Sequence, residues 1–240
     1  FLNFSNNLVT LKYSPGSYIQ YRNVLYELKT ITIHTPTLHN IDNTKYDLEM
    51  CLIHELSSGS KSSDSPNGII LSILFSESSN FGLPNEFLNQ FIDDIPRESI
   101  DYDKEIKVSP DWSVSMLLPK NKSFYMYDGS KPFPPCDTNY KVVVFSEIGT
   151  IGRSNLEMLK SNIGENIRNI QMINDRPVMY NIDYGVDESK EYNLDKKEKK
   201  VISDKFLRCV KSPLFKYRKR KMPSSARHRR RGVGLTKNTK

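Results

Sequence analysis

The residues best equipped for chemistry lie close together, between Leu28 and His54. Leu28 to His34 and Leu48 to His54 both alternate in the manner of strands, and Asp42, Asn43 and Tyr46 mark a polar connection between them. Successive side chains on a strand point to opposite faces. Thr32 and His34 therefore share one face, Glu49, Cys51 and Ile53 share another, and His54 points away from that second set. If the two strands pair, Thr32, His34 and Cys51 converge on one spot. An imidazole and a thiolate are strong zinc ligands, whereas a neutral hydroxyl is a very weak one. His34 and Cys51 supply two ligands, fewer than a stable zinc site uses. Of the four histidines, His228 falls in a basic tail, and strand parity opposes convergence of His34, His39 and His54. A single inward histidine is ordinarily a hydrogen-bonded core residue.

Several further elements must position these residues. Residues 5–21 read as two strands joined by a Pro15-Gly16 turn. Residues 57–67 form a loop by composition. Gly68 to Ser76 is a continuous apolar run of strand length, expected to be buried. Residues 84–95 open with Pro84 and space Phe87, Leu88, Phe91, Ile92 and Ile95 along one face of a helix. Residues 149–160 read as a second, short helix carrying Leu156, Met158 and Leu159.

The segment I-T-I-H-T-P-T-L-H-N-I-D-N-T-K-Y-D-L-E-M-C-L-I-H, residues 31–54, resembles the zinc-binding segment of alpha-class carbonic anhydrases without a gap. A second match lies in 123–145, through Tyr125, Tyr127, Gly129, Ser130, Pro134, Pro135, Cys136, Val144 and Phe145. A third is the closing N-I-R-N-I-Q-M-I-N-D-R of 166–176. Together they run from about Asn6 to Val178. The resemblance implies one domain over residues 1–182, mainly β: a large, twisted, mostly antiparallel sheet with few peripheral helices, lacking the family's N-terminal part. It also implies that the chain, opening on Phe1, begins inside the family domain.

The resemblance carries the family's framework but not its chemistry. The three zinc histidines fall on Thr32, His34 and Cys51. Glu49 falls on the residue that orients the third histidine, and Asn166 on one that supports another. The threonine that orients the metal-bound hydroxide, and the glutamate that holds it, fall on Pro132 and Leu38. A second active-site threonine falls on Phe133, whose ring is expected to enter the carbon dioxide pocket. The proton-shuttle histidine falls near Asn7, and an amide does not carry protons at neutral pH.

The charge divides the chain. From Arg208 onward there are thirteen Lys or Arg and no Asp or Glu, so the net +7 less 13 leaves −6 for residues 1–207. Residues 183–240 are expected to form a charged, then strongly basic, disordered tail. Its blocks include Arg218, Lys219, Arg220 and Lys221, then Arg229, Arg230 and Arg231, which suit an anionic surface. No stretch of eighteen apolar residues appears. Cys51, Cys136 and Cys209 form no CxxC pair. Cys136 falls where extracellular members of the family carry half a disulfide, which gives a secretory or cell-surface location as the expectation.

The leading expectation is a non-catalytic carbonic-anhydrase-related binding module, with no cofactor and no small-molecule substrate. Its partner would be another protein or an acidic glycan. Two alternatives stand beside it. One is an active enzyme hydrating carbon dioxide at an atypical zinc site. The other is an anion-binding protein acting through its basic tail.

Overall fold

The computed structural model describes residues 2–5, 8–57, 64–78, 86–95, 114–183 and 218–219. Its centre is the pairing of β4 (Val24–His34) with β7 (Leu48–Leu56). The two run antiparallel with Thr32 opposite Cys51 and His34 opposite Glu49, and a bulge between Leu28 and Thr30 adjusts the register. Around them, β1 (Leu2–Ser5), β2 (Leu8–Lys12), β8 (Gly68–Glu77), β10 (Thr138–Phe145), β9 (Phe124–Ser130) and β12 (Met179–Asn181) extend the sheet in the order β1-β2-β4-β7-β8-β10-β9-β12. With β3 (Ser17–Tyr21), β11 (Gly149–Ile151) and β13 (Arg218–Lys219), it has 11 strands among the described residues. Most pairs are antiparallel; β8 pairs in parallel with β10 and β11, so the sheet is mixed.

Local sequence explains the tight turns. Arg22 and Asn23, both at positive φ, form the two-residue link from β3 to β4. Asp42 and Asn43 do the same between β5 (Asn40–Ile41) and β6 (Thr44–Lys45). Asn and Asp tolerate this left-handed backbone, whose twist matches that of paired strands. Gly68 is required by close approach, since a Cβ there would meet the His54 carbonyl and the Tyr140 ring.

Period-two alternation then separates two buried faces. Ile31, Ile33, Met50, Leu52, Ile69, Leu71, Ile73, Val143 and Phe145 enter the main core. Their neighbours Cys51, Ile53, Ile70, Leu74, Val142 and Val144 enter a smaller cluster on the opposite face.

Four segments differ from the sequence expectation. β2 and β3 follow one another along the same edge of β4 rather than pairing together, and β1 precedes them. The helix expected over 84–95 is α1, Glu86–Asn89, followed by a 3-10 turn at Ile92–Asp94, because Phe91 leaves the helical region at φ −144°. Its five apolar residues are nevertheless all buried. The segment expected as a helix over 149–160 begins as β11, and α2 runs Arg153–Ile163 until Gly164 at φ +60° ends it. Of the tail, Asp183 and Arg218–Lys219 are described, the latter pair lying antiparallel to Ser17–Tyr18 of β3.

Candidate functional site

Thr32, His34, Glu49 and Cys51 meet as strand parity predicts, and all four are buried. His34 Nε2 lies 2.9 Å from Thr32 Oγ1, and Nδ1 lies 3.3 Å from the Asn166 carbonyl oxygen. Burial pushes the His34 imidazole below its ordinary value, so the ring is neutral at pH 7. A carbonyl only accepts, so Nδ1–H donates to Asn166 and the Nε2 lone pair accepts the Thr32 hydroxyl. The Asn166 side chain binds the same strand end: Oδ1 accepts Thr35 N–H at 2.9 Å and Nδ2 donates to Ile33 O at 2.9 Å. Asn166 and His34 are thus brought together, although through the Asn166 backbone.

Cys51 Sγ lies 3.5 Å from both Glu49 Oε1 and Ser72 Oγ. Burial first, and then the Glu49 charge, push its thiol well above the usual range. At neutral pH it is a protonated thiol rather than a thiolate. Among the described residues no group of three or more His, Cys, Asp or Glu is arranged to hold a metal ion.

The strongest polar cluster is centred on Glu49 and His39. Glu49 Oε1 accepts His39 Nδ1–H at 2.7 Å, while Oε2 accepts the backbone N–H groups of Leu38 and His39 at 2.9 and 3.0 Å. His39 Nε2 lies 2.6 Å from Tyr127 Oη. Burial opposes ionisation of both partners, but the pairing prevails. It holds the Glu49 carboxyl down at about 2 and the His39 imidazole above its ordinary value. Strand parity places Glu49 beside Cys51 and keeps His39 from converging with His34 and His54, but it misses the bond between Glu49 and His39 and its extension to Tyr127. The available signal was the inward parity of Glu49 and Tyr127 on their strands.

A cavity of about 540 Å³ opens beside this cluster. Cys51, Ile70, Ser72, Val142 and Val144 border it on the sheet side. Leu38 and Pro132 border it too, so these positions face one space as expected. Phe133 does not; it packs partly buried against the smaller apolar cluster, and the expected occluding ring is not part of the cavity wall. Thr32 and His34 lie outside the wall as well. The segment carrying Arg168, Ile170, Ile173, Arg176 and Val178 also borders it, with Arg168 and Arg176 bonded to Ser130 and Asp128 of β9. Asn7, Arg220, Lys221, Arg229, Arg230 and Arg231 lie outside the described residues.

With this geometry in place, comparison with known proteins becomes specific. The family model for eukaryotic-type carbonic anhydrases matches residues 6–182. The chain belongs to that family. Among curated relatives, dioscorin DB3S of Dioscorea polystachya is 31% identical over 180 residues, covering 72% of this chain and 61% of that protein. A carbonic anhydrase of Nostoc sp. is 29% identical over 171 residues, covering 71% and 60%. The chain spans about three fifths of the length of these relatives. The solved alpha-carbonic anhydrase of Thermovibrio ammonificans, in complex with the inhibitor sulfanilamide, superposes with a TM-score of 0.65 at 24% identity, covering 74% of this chain and 73% of that one. This last likeness concerns the fold. The carbonic anhydrase family thus contains relatives named as enzymes and relatives named as dioscorins.

Proposed function

We propose that this chain is a carbonic-anhydrase-related protein without the family's zinc chemistry, acting as a binding module. The observation that carries this reading is the bond between His34 Nε2 and Thr32 Oγ1. The lone pair a zinc ion would need is engaged by a hydroxyl two residues away. The neighbouring donor, Cys51, is a protonated thiol. This donor set does not fit a site of three neutral imidazoles with an open position for water. Pro132 and Leu38 border the cavity without the hydroxyl and carboxylate that orient a metal-bound hydroxide in the resembled family. The partner in this reading is another protein or an acidic glycan.

Zinc content measured by elemental mass spectrometry, after chelation and re-addition of zinc, tests the reading. The expected result is a folded chain without stoichiometric zinc and without carbon dioxide hydration above the buffer rate. About one zinc per chain, lost on His34→Ala or Cys51→Ala, would overturn it and restore the enzymatic alternative.

A second reading draws on the thirteen cations after Leu207, which would bind an anionic surface. Removing residues 208–240 and measuring binding to heparin at low and high salt separates the two. Tail contacts with sulfate groups give steep salt dependence that the truncated chain lacks.

A further inference from the structure

The chain contains two Asn-x-Ser/Thr triplets in which x is not proline, Asn3-Phe4-Ser5 and Asn121-Lys122-Ser123. This triplet is the acceptor motif for an N-linked glycan, a bulky, solubilising group that only a surface can carry. The fold places the two differently. Asn3 lies within β1, opposite Thr10 of β2. Asn121 and Lys122 are exposed, on the bend that precedes β9.

The contacts of Asn121 divide its side-chain amide in two. Oδ1 accepts the Ser123 N–H at 2.8 Å, the local bond through which an asparagine shapes a turn. The backbone N–H of Asn121 donates to Glu147 Oε2, and that of Lys122 donates to Asp183 Oδ2 at 2.8 Å. None of these bonds uses Nδ2, which donates to no group among the described residues. A substituent on Nδ2 therefore leaves the turn, its accepting oxygen and both carboxylate contacts in place. Asn121 also lies outside the cavity wall, so the substituent projects from a different part of the surface.

We propose that Asn121 carries an N-linked glycan when this chain is made in the secretory pathway, the location expected from Cys136. In the transfer, Asn121 Nδ2 bonds to the anomeric carbon of an oligosaccharide carried on a lipid diphosphate. The bond from that carbon to the diphosphate breaks, and the lipid diphosphate and one amide proton leave. The hydroxyl of the motif belongs to Ser123, which the fold buries and sets 2.8 Å from the Asp183 N–H. Transfer therefore precedes folding of this bend, and the folded chain then presents the finished glycan to solvent. This inference goes beyond the binding-module reading and does not depend on whether zinc binds.

The test expresses the full chain behind a cleavable signal peptide in cultured eukaryotic cells. Signal-peptide cleavage shows that the chain has entered the secretory lumen. The expected result is a shift in electrophoretic mobility that a peptide-N-glycosidase removes. That enzyme leaves an aspartate at each residue that carried a glycan, so peptide mass spectrometry should then find the change at Asn121. Asn3→Gln should leave the Asn121 glycan in place. Adding Asn121→Gln to that variant should abolish the remaining shift. If the double variant does not fold, the peptide map of the unsubstituted chain decides the matter. A chain that has entered the lumen with Asn121 unmodified, whether bare or glycosylated at Asn3 alone, would overturn the proposal. That result would leave the zinc reading untouched, because zinc content is measured separately.

Discussion

Leu71 and Ile70 are neighbours on β8 and point to opposite sides of one sheet. Leu71 enters the main core among Ile31, Leu52 and Val143, while Ile70 borders the cavity beside Cys51 and Ser72. The two faces also treat histidine differently. His54, fully buried, gives Nδ1–H to the carbonyls of Leu52 and Ile69, and burial pulls its imidazole down to about 4. On the cavity face, His39 is held above its ordinary value by Glu49. One face is stabilised by close packing around neutral groups, the other by an ion pair beside open space. The difference teaches that the Glu49 site is held together independently of the donors at Thr32, His34 and Cys51. The Glu49 carboxylate remains satisfied through His39 and two backbone N–H groups, whatever stands at Cys51.

Truncation on the two faces should give the largest measurable contrast. Leu71→Ala is expected to cost about 4 kcal/mol, because a rigid core leaves a void where the side chain stood. Ile70→Ala should cost about 2 kcal/mol, since the space beside it is already open. Urea unfolding of both variants gives the comparison directly. Equal costs would mean that the cavity face is packed as tightly as the core.

Acid stability is expected to sharpen the histidine contrast. The His54 imidazole sits at about 4 in the fold against 6.5 ordinarily. Between those values the unfolded chain takes up a proton that the folded chain refuses, so stability falls as pH drops through this window. The loss from His54 alone is on the order of 3 kcal/mol. His34, also shifted down by burial, acts in the same direction. His39 is shifted up, so its contribution is complete below pH 6.5 and is lost only as pH rises through its folded value. Glu49, held at about 2, contributes fully above 4.5 and loses that contribution as pH falls toward 2. Denaturant unfolding at pH 7.5 and pH 5 should therefore show a drop that His54→Gln makes smaller. An unchanged slope in that variant would remove His54 from the account.

The framework was legible in the sequence because it is written in short-range signals. Alternation in β4 and β7 predicted which of Thr32, His34, Glu49 and Cys51 face each other, and their register agrees. The apolar run of β8 and the matches in 123–145 placed the neighbouring strands. What escaped the sequence reading depends on long-range contacts. Tyr127 reaches His39 across 88 residues of chain, and no local pattern announces that partnership. Arg168 and Arg176 looked like parts of a closing motif, but their positions on the cavity wall follow from how the outer segment folds back onto β9. The α1 segment failed for a different reason: its helical spacing persists through a break at Phe91, so the buried face survives although the helix does not.

The smallest expected effect bears most directly on the ion pair. Tyr127→Phe keeps the ring that packs against His39 and lies beneath Arg176, and removes only the hydroxyl 2.6 Å from His39 Nε2. A mostly buried imidazole then lacks a partner for one nitrogen, at a cost of about 1–2 kcal/mol. Burial, and then the nearby Glu49 charge, keep the Tyr127 phenol protonated at neutral pH, so the variant deletes a hydrogen bond and not a charge. The loss should therefore be similar at pH 6 and pH 8, unlike the pH-dependent drop assigned to His54. A cost near zero at both values would mean that Glu49 alone holds His39 in place. A cost confined to the higher pH would mean that the hydroxyl supports the neutral imidazole rather than its charged form.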